Sequence, residues 1–106
     1  MLDAEVIGVP NRGPNDSLDS LLNTGAECTA ALRAAGTATA TELRRLGSVE
    51  AAVRMREALG ADAVCRSRLS ALEGAIRGVR WHAIPKLERD RLWEELERRS
   101  ARRDAR

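Results

Sequence analysis

Residues 62–79, DAVCRSRLSALEGAIRGV, decide the fold. Set at about 100° per residue, they divide into three faces. Cys65, Leu69, Leu72, Ile76 and Val79 make a bulky apolar stripe; Ser67, Ala71, Gly74 and Gly78 make a stripe of small residues. Arg66, Glu73, Arg77 and Arg80 make a charged face. Apolar residues recurring every three to four positions predict an amphipathic helix. The small stripe predicts a second packed side, where another backbone comes close. Gly74 costs about 1 kcal/mol relative to Ala inside a helix, so packing is expected to compensate for it. A helix over 62–79 at the centre of an all-α bundle is the expectation.

Working outward, Trp81-His82 reads as the following turn, and Pro85 suits the first turn of a last helix, where a missing N–H costs nothing. Leu92, Trp93 and Leu96 fall on one side of that helix, and the apolar pattern ends at Ser100. Upstream, residues 48–59 predict a helix with Val49, Ala52 and Val53 inward. Before it, Thr39 and Glu42 form a capping box for a short helix with Leu43 and Leu46, stopped at Gly47-Ser48. Thr24 and Glu27 form a similar box for a helix carrying Cys28, Ala31, Leu32 and Ala35 and ending at Gly36. Asp16 is placed to cap a first short helix with Leu18, Leu21 and Leu22, broken by Asn23-Thr24-Gly25. Gly8, Pro10, Gly13 and Pro14 interrupt any regular element before that. The expected organisation is a flexible leader over 1–15, one domain of five to six short helices over 16–98, and a frayed basic tail over 99–106.

Composition bounds the rest. The 106 residues suffice for one domain. There is no Phe or Tyr, so Leu, Val and Ala with Trp81 and Trp93 supply the core, and a sheet lacks its favoured residues. The net charge of +2 hides an asymmetry. Residues 1–50 carry seven acids against four Arg, and residues 51–106 carry fourteen bases against nine acids. A basic second half suits a polyanionic partner without requiring one. Cys28 and Cys65, without CxxC or metal-ligand spacing, read as small buried hydrophobes. No signal-peptide pattern opens the chain and no apolar run approaches the about 20 residues of a membrane span. The expected compartment is the cytoplasm.

Three stretches resemble one family. LLNTGAECTAALRAAG (21–36) suggests a helix-hairpin-helix-like, SAM-like unit. GTATATELRRLGSVEAAVRMREALG (36–60) and LSALEGAIRGVRWHAIP (69–85) look like the C-terminal domain of the TfoX/Sxy competence regulators. The positions carrying this likeness include Asn23, Gly25, Thr39, Leu43, Arg44, Leu46, Gly47, Arg54, Arg56, Leu69, Leu72, Gly74, Ile76, Gly78 and Trp81. The likeness spans about residues 18–98 and implies a non-enzymatic module of transcriptional regulation in DNA transformation. Full-length members also carry an N-terminal α/β domain, and 106 residues are expected to hold the C-terminal type alone. Thr24 and Ala26 replace the Leu and Pro expected beside the hairpin Gly.

Two sets of residues are candidates for contact with DNA or a protein. The first is the turn Asn23-Thr24-Gly25, whose backbone N–H groups and following helix start would meet a phosphate. Glu27, standing where a base would help, opposes this, and folding geometry alone explains the turn equally. The second is Arg44 and Arg45 before Gly47, with Arg54, Arg56, Arg77 and Arg80. These would give weak, salt-dependent binding, or else form a solvated face paired with acids such as Glu73 with Arg77. Leu69, Leu72, Gly74, Ile76, Gly78 and Trp81 are read as structural. The small face of helix 62–79 would also fit a regulatory protein or a second copy, although a contact within the fold serves as well. His82, beside Trp81, reads as part of a packed turn. No catalytic residue, metal ligand, cofactor, small-molecule substrate or membrane contact is expected.

Overall fold

A computed structural model describes residues 16–105; the leader 1–15 and Arg106 lie outside them. Five α-helices form the bundle: α1 (Ala26–Ala34), α2 (Ala40–Leu46), α3 (Ser48–Leu59), α4 (Arg66–Arg77) and α5 (Lys86–Asp104). Short 3-10 turns occupy Leu18–Ser20, Ala61–Ala63 and Trp81–Ala83. Among the described residues there is no strand, only an isolated antiparallel bridge between Ser17 and Thr39. The all-α expectation holds.

The centre is α3, which packs against each of the other four helices. Helix 62–79 was expected there, so this is a correction. The reason lies in residue size. Ser48, Val49, Ala51, Ala52, Val53 and Met55 are all buried, and together they cover more than half the circumference of α3. A helix apolar over so wide an arc is enclosed rather than laid on a surface. The Ala residues let neighbours approach from several sides without forming a conspicuous bulky stripe. Leu18, Leu32, Leu43, Leu69, Leu72 and Leu96 close around it, all at most 1% exposed.

The segment 62–79 is itself divided. Ala61–Ala63 is a 3-10 turn, Val64 is extended, and the helix begins only at Arg66 with Cys65 as its N-cap. Leu69 and Leu72 are buried and Ile76 packs half-buried on the core, but Val79 and Cys65 are exposed. The paired reading of the two cysteines therefore holds for Cys28 alone, whose burial raises its thiol pKa against the lowering effect of Arg68.

Local signals succeeded unevenly. The Thr39 hydroxyl accepts the Glu42 N–H at 3.1 Å and starts α2 as expected. The Glu42 carboxylate turns back to accept the Ala38 N–H at 2.8 Å, one residue before the usual box partner. The Thr24 box does not form. Gly25 caps α1 without a side-chain bond, while the Thr24 hydroxyl donates to the carbonyls of Leu18 at 3.0 Å and Leu21 at 2.9 Å. Asp16 does not cap the first turn either. Ser17 does, and Asp16 accepts from the N–H and hydroxyl of Thr41 at 2.9 and 2.7 Å. The first arm of the expected helix-hairpin-helix unit is thus one 3-10 turn.

The C-terminal end departs further. Pro85 stands at the N-cap of α5, one residue earlier than expected, a shift within the ordinary spread of helix boundaries. The helix then continues through Asp104, so residues 99–104 are helical where a frayed tail was expected. Arg99 and Arg103 explain the continuation: both reach back to Glu50 on α3, at 3.4 and 2.7 Å.

Candidate nucleic-acid interface

Two joints carry the candidate residues, and they are built differently. The first follows the opening 3-10 turn. Asn23 holds φ 69°, the one positive φ at a non-glycine among the described residues, a conformation that Asn tolerates better than most. Its side-chain Nδ2 donates to the Val79 carbonyl at 2.8 Å, and its Oδ1 accepts the Trp81 N–H at 3.3 Å. Gly74 makes room for this. A Cβ there would stand 2.6 Å from Asn23 Nδ2 and 2.6 Å from the Val79 carbonyl oxygen. Gly74 of the small stripe is therefore used within the fold, while Ser67 and Gly78 are exposed.

This joint has little left for a phosphate. The Asn23 amide and Thr24 hydroxyl are occupied by folding contacts, and Glu27 lies exposed in the first turn of α1, 3.4 Å from Arg68. Only Gly25 is exposed without a role beyond starting the helix. The structure brings Asn23, Thr24 and Gly25 together as expected but makes the first two structural.

The second joint is α2–Gly47–α3. Gly47 takes φ 84° and serves both helices, donating its N–H to Leu43 at 2.9 Å and preceding the first residue of α3. The start of α3 has no side-chain cap. The hydroxyl of Ser48, one position past the N-cap, donates inward to Glu73 at 2.6 Å. Arg44 and Arg45 stand exposed in the turn just before. Neither has an ion pair among the described residues. The joint therefore sets two exposed guanidiniums, without an ion pair among the described residues, beside the start of α3, where Ser48 and Val49 are buried and Glu50 stands in the first turn.

The other candidate Arg residues divide by what holds them. Arg56 is 14% exposed and threads into α5, donating to Ser100 and Glu97 at 3.3 Å each. Its guanidinium lies 5.1 Å from the Trp93 ring centroid, so it is a packing residue. Arg77 binds Glu73 at 2.7 Å and Glu88 at 2.8 Å, and these bonds raise its pKa. Arg54 pairs with Glu50 at 3.3 Å. Arg80 is exposed and lines an open depression with Asn23, Gly25 and Trp81. Among the structural set, Gly78 closes α4 in the left-handed conformation at φ 77°. Trp81 is half-buried, with Arg89 over its ring at 5.4 Å.

Glu50 was missed. Burial pushes its carboxyl pKa up, but hydrogen bonds from Arg103 and Arg54, with their charges, outweigh that and hold it below the usual range. The i,i+4 spacing to Arg54 was the one local signal; Arg99 and Arg103 lie 49 and 53 residues away. His82 is exposed and meets the edge of Trp81 at 5.4 Å, rather than lying inside a packed turn. Among the described residues no group of three or more His, Cys, Asp and Glu could hold a metal ion, and no helix is long and apolar enough to cross a membrane.

Comparison with known proteins gives a family and similar solved structures. The matching family model is described as the TfoX C-terminal domain and covers residues 14–96. An uncharacterized protein from Listeria monocytogenes, solved in a triclinic form, is 40% identical with a TM-score of 0.65 over 71% of this chain and 83% of its own. A protein of unknown function from the same organism, in a tetragonal form, is 37% identical with a TM-score of 0.68. That match covers 76% of this chain and 96% of the other. No curated protein matches significantly.

Proposed function

Because the chain belongs to the TfoX C-terminal domain family, we propose that it is a non-enzymatic regulatory binding module that contacts DNA through the α2–Gly47–α3 joint. One observation carries the reading: Arg44 and Arg45 stand exposed and unpaired, among the described residues, directly before the start of α3, which has no side-chain cap. Guanidiniums bind phosphate oxygens in a fork; Glu50 in the first turn of α3 offsets the partial positive charge of that helix start, so the Arg pair carries the contact. Such contact is tolerant of sequence, because phosphates carry no base identity. It fits a regulator of DNA transformation working in the cytoplasm, a compartment that suits two free thiols.

Fluorescence anisotropy of a labelled random duplex, titrated at low and at physiological salt, tests this. The expected result is a dissociation constant on the order of micromolar that weakens steeply with salt. Arg44→Glu with Arg45→Glu should weaken it, while Asn23→Ala should leave the salt slope unchanged. Absence of binding at low salt overturns the DNA reading.

A second reading, a protein-interaction adaptor, draws on a different observation. Leu22 and Val79 are 39% and 37% exposed, and the Asn23 bond to the Val79 carbonyl brings their segments together. Salt-tolerant binding of a partner with a negative heat-capacity change would favour this adaptor.

A further inference from the structure

The charges on α5 are partly sorted by face. At about 100° per residue, Arg91, Arg98, Arg99, Arg102 and Arg103 fall within an arc of about 140°. Glu88 and Glu95 stand inside this basic arc and are engaged there, by Arg77 and by Arg98 and Arg99. Asp90, Glu94, Glu97 and Asp104 fall on the flank beyond the core-facing Leu92, Leu96 and Trp93. Two of those acids are already engaged, Asp90 by Arg66 of α4 and by Lys86 of its own helix, and Glu97 by Arg56 of α3.

The basic arc is organised from behind by α3. Glu50 receives Arg103 at 2.7 Å, Arg54 at 3.3 Å and Arg99 at 3.4 Å. Arg103 also meets Glu57 at 3.0 Å, and Glu95 is shared by Arg98 and Arg99. Arg102 lines the same shallow depression as Glu50, Arg99 and Arg103. Five guanidiniums of α5 thus face three carboxylates, Glu50, Glu57 and Glu95, leaving an excess of two positive charges. Arg91, Arg98 and Arg102 form the exposed crest, and among the described residues Arg91 and Arg102 have no ion pair. Arg98 and Arg102 lie past residue 96, where the family match stops. Arg91, the third residue of the crest, lies inside that span.

We propose that this crest is a second docking surface for duplex nucleic acid, with Arg91, Arg98 and Arg102 each meeting a backbone phosphate. From Arg91 to Arg102 the helix rises about 16 Å, a length over which a duplex presents about ten phosphate charges. Arg99 and Arg103, tethered to Glu50, tie α5 to α3 behind the crest and add to its positive field. Guanidiniums set on a rigid helix lose less freedom on binding than those of a loose tail.

The inference rests on the duplex-binding reading, and the experiment separates the two. Anisotropy with a labelled random duplex is measured between about 50 and 200 mM salt for four proteins. These are the parent, R44E/R45E, a crest variant R91Q/R98Q/R102Q and its lysine counterpart R91K/R98K/R102K. The crest variant is expected to lower the slope of log affinity against log salt by about 2 to 3, and the lysine variant to keep it. A crest variant with the parent's slope overturns the crest and leaves the Arg44–Arg45 joint standing if R44E/R45E weakens binding. A parent that does not bind overturns both. Should the triple variant fail to fold, R102Q alone decides, with a slope lower by about 0.9 if the crest is right and unchanged if it is wrong.

Discussion

Asn23 joins the opening turn to the loop after α4 through both ends of its amide, and Gly74 is the residue that permits the approach. Replacing Gly74 with Ala gains about 1 kcal/mol of helix propensity. The added methyl would meet the Val79 carbonyl oxygen at 2.6 Å. That atom is backbone and cannot swing aside, and overpacking of this kind costs about 1–3 kcal/mol. Gly74→Ala is therefore expected to destabilise by about 1 kcal/mol, read from the urea midpoint. Removing Asn23 as well should not restore stability, because the carbonyl clash remains; full recovery in the double variant would show that the amide alone was the obstacle. The same contact explains why the candidate site was half legible. The Asn23-Thr24-Gly25 turn is visible in the sequence as a break, but the partner that occupies Asn23 lies 56 residues away. The exposure of Arg44 and Arg45 follows from local sequence, two bases in a last helical turn beside a glycine.

At the scale of elements, what the sequence disclosed followed periodicity, and what it hid followed pairing across helices. Thr39, Gly25, Gly36 and Gly47 mark real helix ends, and the Leu spacing of α4 and α5 predicts their buried sides. The small residues of α3 concealed its central position. The continuation of α5 was hidden because charge contacts with α3, rather than an apolar stripe, accompany its last turns. Glu50 tests this coupling. Its folded carboxyl titrates below the ordinary value of about 4.3, so the contribution is complete above that pH and is lost as pH falls through the lower folded value. Glu50→Gln should cost on the order of 1 kcal/mol near neutral pH, and the difference from the parent should shrink to nothing under acid. Urea unfolding of both proteins from pH 7 to pH 3 checks it. A deficit that persists unchanged at the acid end would mean that Glu50 acts through packing instead of charge.

The whole molecule is held through one helix, and this has a consequence for how it unfolds. With α3 touching α1, α2, α4 and α5, no helix can leave without exposing part of the same surface. Arg56 of α3 and Arg66 of α4 both lie 5.1 Å from the Trp93 ring of α5, so that indole reports on the junction of three helices. A bundle joined this way should unfold as one unit. Trp81, half-buried in the turn between α4 and α5, would confuse the signal, and Trp81→Phe leaves Trp93 as the single fluorophore. In that variant the urea transition followed by fluorescence should coincide with the one followed by far-ultraviolet circular dichroism. If the Trp93 signal moved at lower urea than the helical signal, α5 would be undocking as a separate unit. The crest of arginines would then be riding on a helix held mainly by its ion pairs to Glu50 and Glu57, and its separation in urea would move with salt. Coincident transitions at both low and high salt would instead place α5 in the same cooperative core as Leu96 and Leu72, both fully buried.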